Sequence, residues 1–295
     1  MSRPHDYSEE DVGNIVSLEH VNLRIADQSV ATLFYVVGLG LTRDPYLTVG
    51  TENMWVNLGE QQLHLPSGNA QRIPGHIGIV VPDLDLLQGR LKAVEERLRA
   101  TRFSWRLEAD HVSVICPWGN CFHCHAPEPR FGDMILGMPY VDFWVKPGAA
   151  AGIARFYQEV MRAPATLSSQ NRLAEAHVAT GHNQWLRFRE VDEEITPYDG
   201  HHIAVYVANF SEPYGFLKRH GLVMEDVRNH QFRFKDVANP EDGTKLFELE
   251  HEVRSLGHPM YHRTLVNREP GQTQRDYRRG GDALTPFGTE NREGR

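Results

Sequence analysis

The sequence predicts an α+β fold built from one βαβββ unit written four times. Three observations predict it: four short strands begin alike, an apolar helical face follows each of them, and each copy closes with a marked turn and a last strand.

The strand openings are residues 20–25 (HVNLRI), 76–81 (HIGIVV), 140–145 (YVDFWV) and 202–207 (HIAVYV), whose starts lie 56, 64 and 62 residues apart. In each the second, fourth and sixth residues are apolar, the period of a strand with one face on a core. The first, third and fifth residues therefore share the opposite face. Helices follow. Val30, Leu33, Phe34 and Val37 stand at i, i+3, i+4 and i+7, and Ile153, Phe156, Tyr157 and Val160 repeat the spacing. Leu87, Leu91, Val94 and Leu98 form the second face, with Asp83 or Asp85 placed to cap it. The fourth helix, near residues 211–220, carries a weaker pattern. The closing turns are Gly59-Glu60 before QQLHL, PWGN before CFHCH, GHN before QWLRF and NPEDG before TKLFELE.

Composition narrows the function. A formal charge of -8 disfavours nucleic acid, which is bound through clustered cations, and points to a small-molecule partner. No apolar run approaches the length of a membrane span, and the polar, acidic start lacks a secretory signal, so the expected location is cytoplasmic. Three cysteines in such a chain predict reduced thiols. No glycine-rich phosphate loop or nucleophile elbow occurs.

Over residues 16–255 the fourfold pattern resembles the vicinal-oxygen-chelate superfamily, which includes glyoxalase I, bleomycin-resistance proteins and type I extradiol dioxygenases. The resemblance implies two incomplete, cupped β-barrels with helices packed outside, each made of two modules. It implies an N-terminal pair over 16–130 and a C-terminal pair over 131–255, while the low apolar content of the last 25 or so residues marks the extension over 256–295 as partly flexible. Metal ligands in that superfamily come from the start of the first strand and the middle of the last strand of each module. These positions fall on His20, His64, His76 and His123 in the first two modules. One histidine at such a place reads as a strand-end hydrogen bonder, but four on four ligand positions read as a metal set. Asn22, Arg24 and Gln62 share their face, and His125 stands beside them as a candidate acid/base. In the last two modules His202 and Glu248 match two members of the extradiol triad, while Tyr140 and Arg187 stand where ligands are expected.

The expected function is therefore a metal-dependent ring-cleaving dioxygenase acting on a small oxygenated, aromatic molecule with O₂. The expected ion is Fe²⁺, with Zn²⁺, Ni²⁺, Mn²⁺ and Cu²⁺ as alternatives. A glyoxalase-like isomerase or lyase is the second reading, and a ligand-sequestering protein of the bleomycin-resistance type the third. Assembly into a homo-oligomer is left open.

Overall fold

Apolar alternation does place strands where expected, and the computed structural model describes residues 11–46, 52–170, 172–267 and 271–280. The first module holds β1 (Ile15–Asn22), α1 (Gln28–Ala31), β2 (Thr42–Arg43), β3 (Asn53–Leu58) and β4 (Gln61–Pro66). The second holds β5 (Gly75–Val80), α2 (Leu84–Leu98), β6 (Ser104–Leu107), β7 (Val112–Ile115) and β8 (Cys121–His125). The third holds β9 (Gly137–Val145), α3 (Ala150–Glu159), β10 (Ala165–Gln170), β11 (Leu173–Ala179) and β12 (Trp185–Glu190). The fourth holds β13 (His202–Val207), α4 (Ser211–Arg219), β14 (Val223–Arg228), β15 (Gln231–Ala238) and β16 (Lys245–Ser255).

Asp27 and Asp83 cap α1 and α2 by accepting from backbone N–H groups of the first turn, Ser29 and Val30 in one case and Leu86 in the other. The first helix differs from a uniform α-helix: α1 passes directly into a π-helical segment, Thr32–Gly38. β1 also starts earlier than the HVNLRI run, and the run's later residues extend its pairing with β4, with Leu23 N–H donating to the His64 carbonyl at 2.9 Å.

The sheets correct the expected pairing of modules. One eight-stranded sheet has the order β14-β15-β16-β13-β1-β4-β3-β2 and the other β10-β11-β12-β9-β5-β8-β7-β6. The first module thus joins the fourth, and the second joins the third. Residues 16–130 and 131–255 are not separate barrels. The reason lies at the first strands: β1 lies antiparallel to β13, and β5 to β9, which places the partner across the seam and not next in the chain. Each module's internal pattern is the same whichever partner it takes, so periodicity carries no information about the choice.

Both sheets curve into incomplete barrels. Val21, Leu63, Val205 and Val253 from one, and Ile77, Phe122, Phe143 and Phe188 from the other, enter a single apolar core that also takes in Phe34, Leu91, Ile153 and Leu217 from the helical segments. The opposite face of each sheet carries the polar residues. No helix among the described residues is long and apolar enough to cross a membrane.

Part of the extension packs on the first module. Within residues 256–267 and 271–280, Met260 and Tyr277 pack with Tyr46 of the first module, and Arg263 forms a buried ion pair with Asp44. Residues 281–295 lie outside the described ones.

Candidate metal centre

The pairing of the first and fourth modules places their polar residues about a pseudo-twofold axis. Across β1 and β13, His20 is opposite Ala204 and Asn22 is opposite His202. Outward from these, Asn22 pairs with His64 on β4, and Ala204 pairs with Glu252 on β16. His20 therefore corresponds to His202, and His64 to Glu252. Strand alternation sends all four to the face away from the core.

Three of the four converge. His20 Nε2 lies 3.4 Å from His202 Nε2, and His202 Nε2 lies 3.9 Å from a carboxylate oxygen of Glu252. Donor atoms of His20, His202 and Glu252 all fall within 4.8 Å of one another. His64 lies flat between two rings, stacked at 3.7 Å on His20 and 3.6 Å on Trp55, with its Nε2 hydrogen-bonded to Gln62 Oε1 at 3.0 Å. With Glu19 and His20 it makes a second set of donors within 4.8 Å of one another, and His20 is common to both sets.

The surroundings prepare the three as ligands. Glu19 hydrogen-bonds His20 Nδ1, and because a carboxylate only accepts, Nδ1 carries the proton and Nε2 presents its lone pair. Burial holds the His20 and His64 imidazoles well below their usual values and brings His202 down to about 3, so all three are neutral. Glu252 is almost wholly buried; although burial pushes its carboxyl up, the guanidiniums of Arg254 and Arg233 bring it down to about 2. Arg254 bridges Glu252 and Glu19, the latter at 3.1 Å, and Arg233 ties Glu252 to Glu250. Three carboxylates, Glu19, Glu250 and Glu252, thus meet two guanidiniums, leaving one formal negative charge in a buried place.

These donors fit a divalent transition ion. Bonds of about 2.1 Å put neighbouring donors about 3.0 to 3.4 Å apart; the 3.4 Å between the two imidazoles lies within that range and the 3.9 Å from His202 to Glu252 is wider. Two imidazoles and one carboxylate form the donor set that suits iron and similar ions over calcium or magnesium.

No protein-family model and no curated protein sequence matches the chain. Solved structures do. A Bacillus subtilis protein provisionally described as a dioxygenase superposes with a TM-score of 0.55 at 13% identity, covering 82% of this chain and 86% of its own. Glyoxalase I from Zea mays superposes with a TM-score of 0.58 at 12% identity, covering 81% of this chain and 92% of its own. A single-substitution variant of the maize enzyme gives 0.59 at 13% identity, over 85% and 96%. The chain has the vicinal-oxygen-chelate fold.

Within that fold the expected four-histidine set is divided. His20 and His64 lie in the first sheet, whereas His76 and His123 lie in the second, on β5 and β8. The second cup holds a guanidinium where the first has the Glu252 carboxylate. On β12, Arg187 occupies the position equivalent to Glu252; it is held by both carboxylate oxygens of Asp142, and its guanidinium lies 3.5 Å over the Tyr140 ring. His76 Nε2 also pairs with Asp142, at 2.9 Å, and stacks on His123 at 3.8 Å. Tyr140 fills the space beside them: a Cβ at Gly78 would meet its ring at 2.3 Å. Its hydroxyl hydrogen-bonds His125 Nε2 at 2.8 Å. His125, expected as an acid/base at the metal, therefore belongs to the other cup. There it clusters with Asp110 and His111, and Arg130 reaches both His125 and Asp110 at 3.1 Å.

Glu248 lies apart from these donors. It sits near the start of β16, paired with Lys235 at 3.0 Å and Lys245 at 3.2 Å, and the carboxylate in the centre is Glu252 on the same face. Glu19, Arg233 and Arg254 are further members that sequence reasoning missed. Alternation assigns Glu19 to the core side of β1, but irregularities at Ile15/Ser17 and Leu18/His20 turn Glu19 and His20 into the same cup. The run Glu248, Glu250, Glu252, Arg254 at every second residue was the available signal for Arg254, and Arg233, on β15, had none.

Proposed function

We propose that the protein is a metal-dependent oxygenase of the ring-cleaving type, acting on a small oxygenated aromatic substrate, with its centre at His20, His202 and Glu252. The observation that carries this reading is the convergence of two neutral imidazoles and one carboxylate, the facial set of non-haem Fe²⁺ oxygenases, with the fourth strand position withheld by the stacking of His64. Fe²⁺ held there would supply Lewis acidity and adjacent positions for substrate oxygens and O₂.

The chain's own residues supply the rest. Glu19 fixes the His20 tautomer, and Arg254 with Arg233 fixes the Glu252 carboxylate. Since the side chains carry one formal negative charge, a divalent ion makes the centre singly positive, and a substrate bound as a monoanion neutralises it. A cavity of about 300 Å³ is lined by Glu19, Gln62 and Tyr206 and by Met260, Tyr261 and Arg263 of the extension. Tyr206 accepts from Arg254 Nη1 at 3.3 Å, and burial raises its phenol, so its own proton stays available to a substrate oxygen.

The test is an oxygen electrode with Fe²⁺-reconstituted protein and catechol as probe. The reading expects O₂ uptake in step with catechol loss and no loss under nitrogen. Conversion at the same rate without O₂ would overturn it. One observation favours a glyoxalase-like isomerase instead: the His64 ring stacks directly on His20, so a ring turn would complete a four-ligand set.

A further inference from the structure

A larger cavity, of about 580 Å³, is lined by the tip of the β14–β15 hairpin and by the extension, and its charge is one-sided. Three arginines line it, Arg228, Arg254 and Arg275, and no aspartate or glutamate does. The cavity at the candidate centre, by contrast, includes Glu19 and Glu60. Arg254 is already neutralised by Glu252 and Glu19. Arg228 and Arg275 are exposed and have no ion-pair partner among the described residues. A guanidinium keeps its charge at any working pH, so two unopposed cations share this cavity in a chain whose formal net charge is -8.

Both arginines stand on fixed backbone. Asn229 and His230 form the two-residue turn between β14 and β15 with φ of 50° and 64°, the left-handed pair such a hairpin needs, and Arg228 pairs with Gln231 across it. The His230 carbonyl accepts from Ser255 N–H at 2.9 Å, which fastens the tip to the end of β16. In the extension, Asp276 accepts from Thr273 N–H at 2.5 Å and from Thr273 Oγ1 at 2.7 Å. Within that stretch Gln274 and Tyr277 are buried, and Arg275 is left exposed. Asn229 and Gln231 add carboxamides to the lining, and Met260 and Tyr277 add apolar surface. A ligand for this place needs a compact group with two negative charges and several acceptor oxygens on a small organic body, and a phosphate monoester has them at neutral pH. We propose that the cavity is an anion site for a small phosphate monoester, its phosphoryl group held by the guanidiniums of Arg228 and Arg275. The site requires nothing of the chemistry at His20, His202 and Glu252.

The test is calorimetric titration of the full chain, at about 0.1 M ionic strength, with phenyl phosphate and with benzoate, which carries the same ring and a single charge. Saturable binding of phenyl phosphate is expected, with a Kd of about 1 mM or below and about tenfold tighter than benzoate. Arg228→Ala and Arg275→Ala, at exposed positions that keep the fold, should each weaken it about fivefold. His202→Ala, at the candidate metal centre, should leave it unchanged. Equal affinity for the two probes, no saturation up to about 10 mM, or binding lost in His202→Ala and kept in both arginine variants would overturn the site.

Discussion

His20 and His202 face each other through their Nε2 atoms at 3.4 Å although 182 residues separate them in the chain. The contact exists because β1 and β13 pair antiparallel, so it couples the candidate metal centre to the closure of the fold: the first and last modules must meet before the donors do.

The carboxylate at the centre is also a structural element. Glu252 is buried against Arg233 and Arg254, and Glu252→Gln would leave two guanidiniums without their shared partner. Breaking a buried ion pair on one side costs about 3–5 kcal/mol. Urea unfolding of metal-free protein should show a loss of that order; a variant within about 0.5 kcal/mol of wild type would mean that the charge network is solvated and weak.

How much of this was legible in the sequence follows from what each signal encodes. The modules were legible because apolar alternation and helical spacing are local, and the polar face of each first strand was legible for the same reason. Partner choice was not, since the edges of β1, β5, β9 and β13 look alike until they pair. This split His76 and His123 from His20 and His64. Glu19 was hidden by irregular pairing that breaks the alternation, and Glu252 by a carboxylate at every second position of β16, where pattern fixes the face but not the register. Tyr140 and Arg187 were readable as departures from a ligand set, and the structure gives their reason: they form a cation–π pair that fills the second cup.

Acid should loosen that second cup. Burial, the largest cause, lowers His123 to about 3 and His125 to about 4, both below the unfolded value of about 6.5. Between the folded and unfolded values the unfolded chain binds more protons, so stability is full above about pH 6.5 and falls as pH drops toward 4. For buried His125 the loss is on the order of 3 kcal/mol. His125→Phe should flatten the fall in unfolding free energy between pH 6.5 and 4. An unchanged slope would place the acid sensitivity elsewhere.

The extension should act as a clasp over the first cup. Asp44 takes the Arg263 guanidinium, Gln62 Nε2 at 2.7 Å and Gln274 Nε2 at 3.3 Å, so Arg263→Ala removes the only cation from a buried set among the described residues. Hydrogen exchange should then speed up through residues 258–267 and 271–277 while β1 and β13 stay protected. Equal protection in variant and wild type would show that the apolar contacts of Met260 and Tyr277 hold the segment unaided.

The most direct test is the metal content of two variants purified side by side after growth with iron, with circular dichroism to confirm the fold. His202→Ala removes one of the three converging donors, whereas His76→Ala touches a ring paired with Asp142 in the other cup. With the centre at His20, His202 and Glu252, wild type and His76→Ala should carry about one ion per chain and His202→Ala little or none. Metal kept in His202→Ala and lost in His76→Ala would contradict this and move the centre to the second sheet.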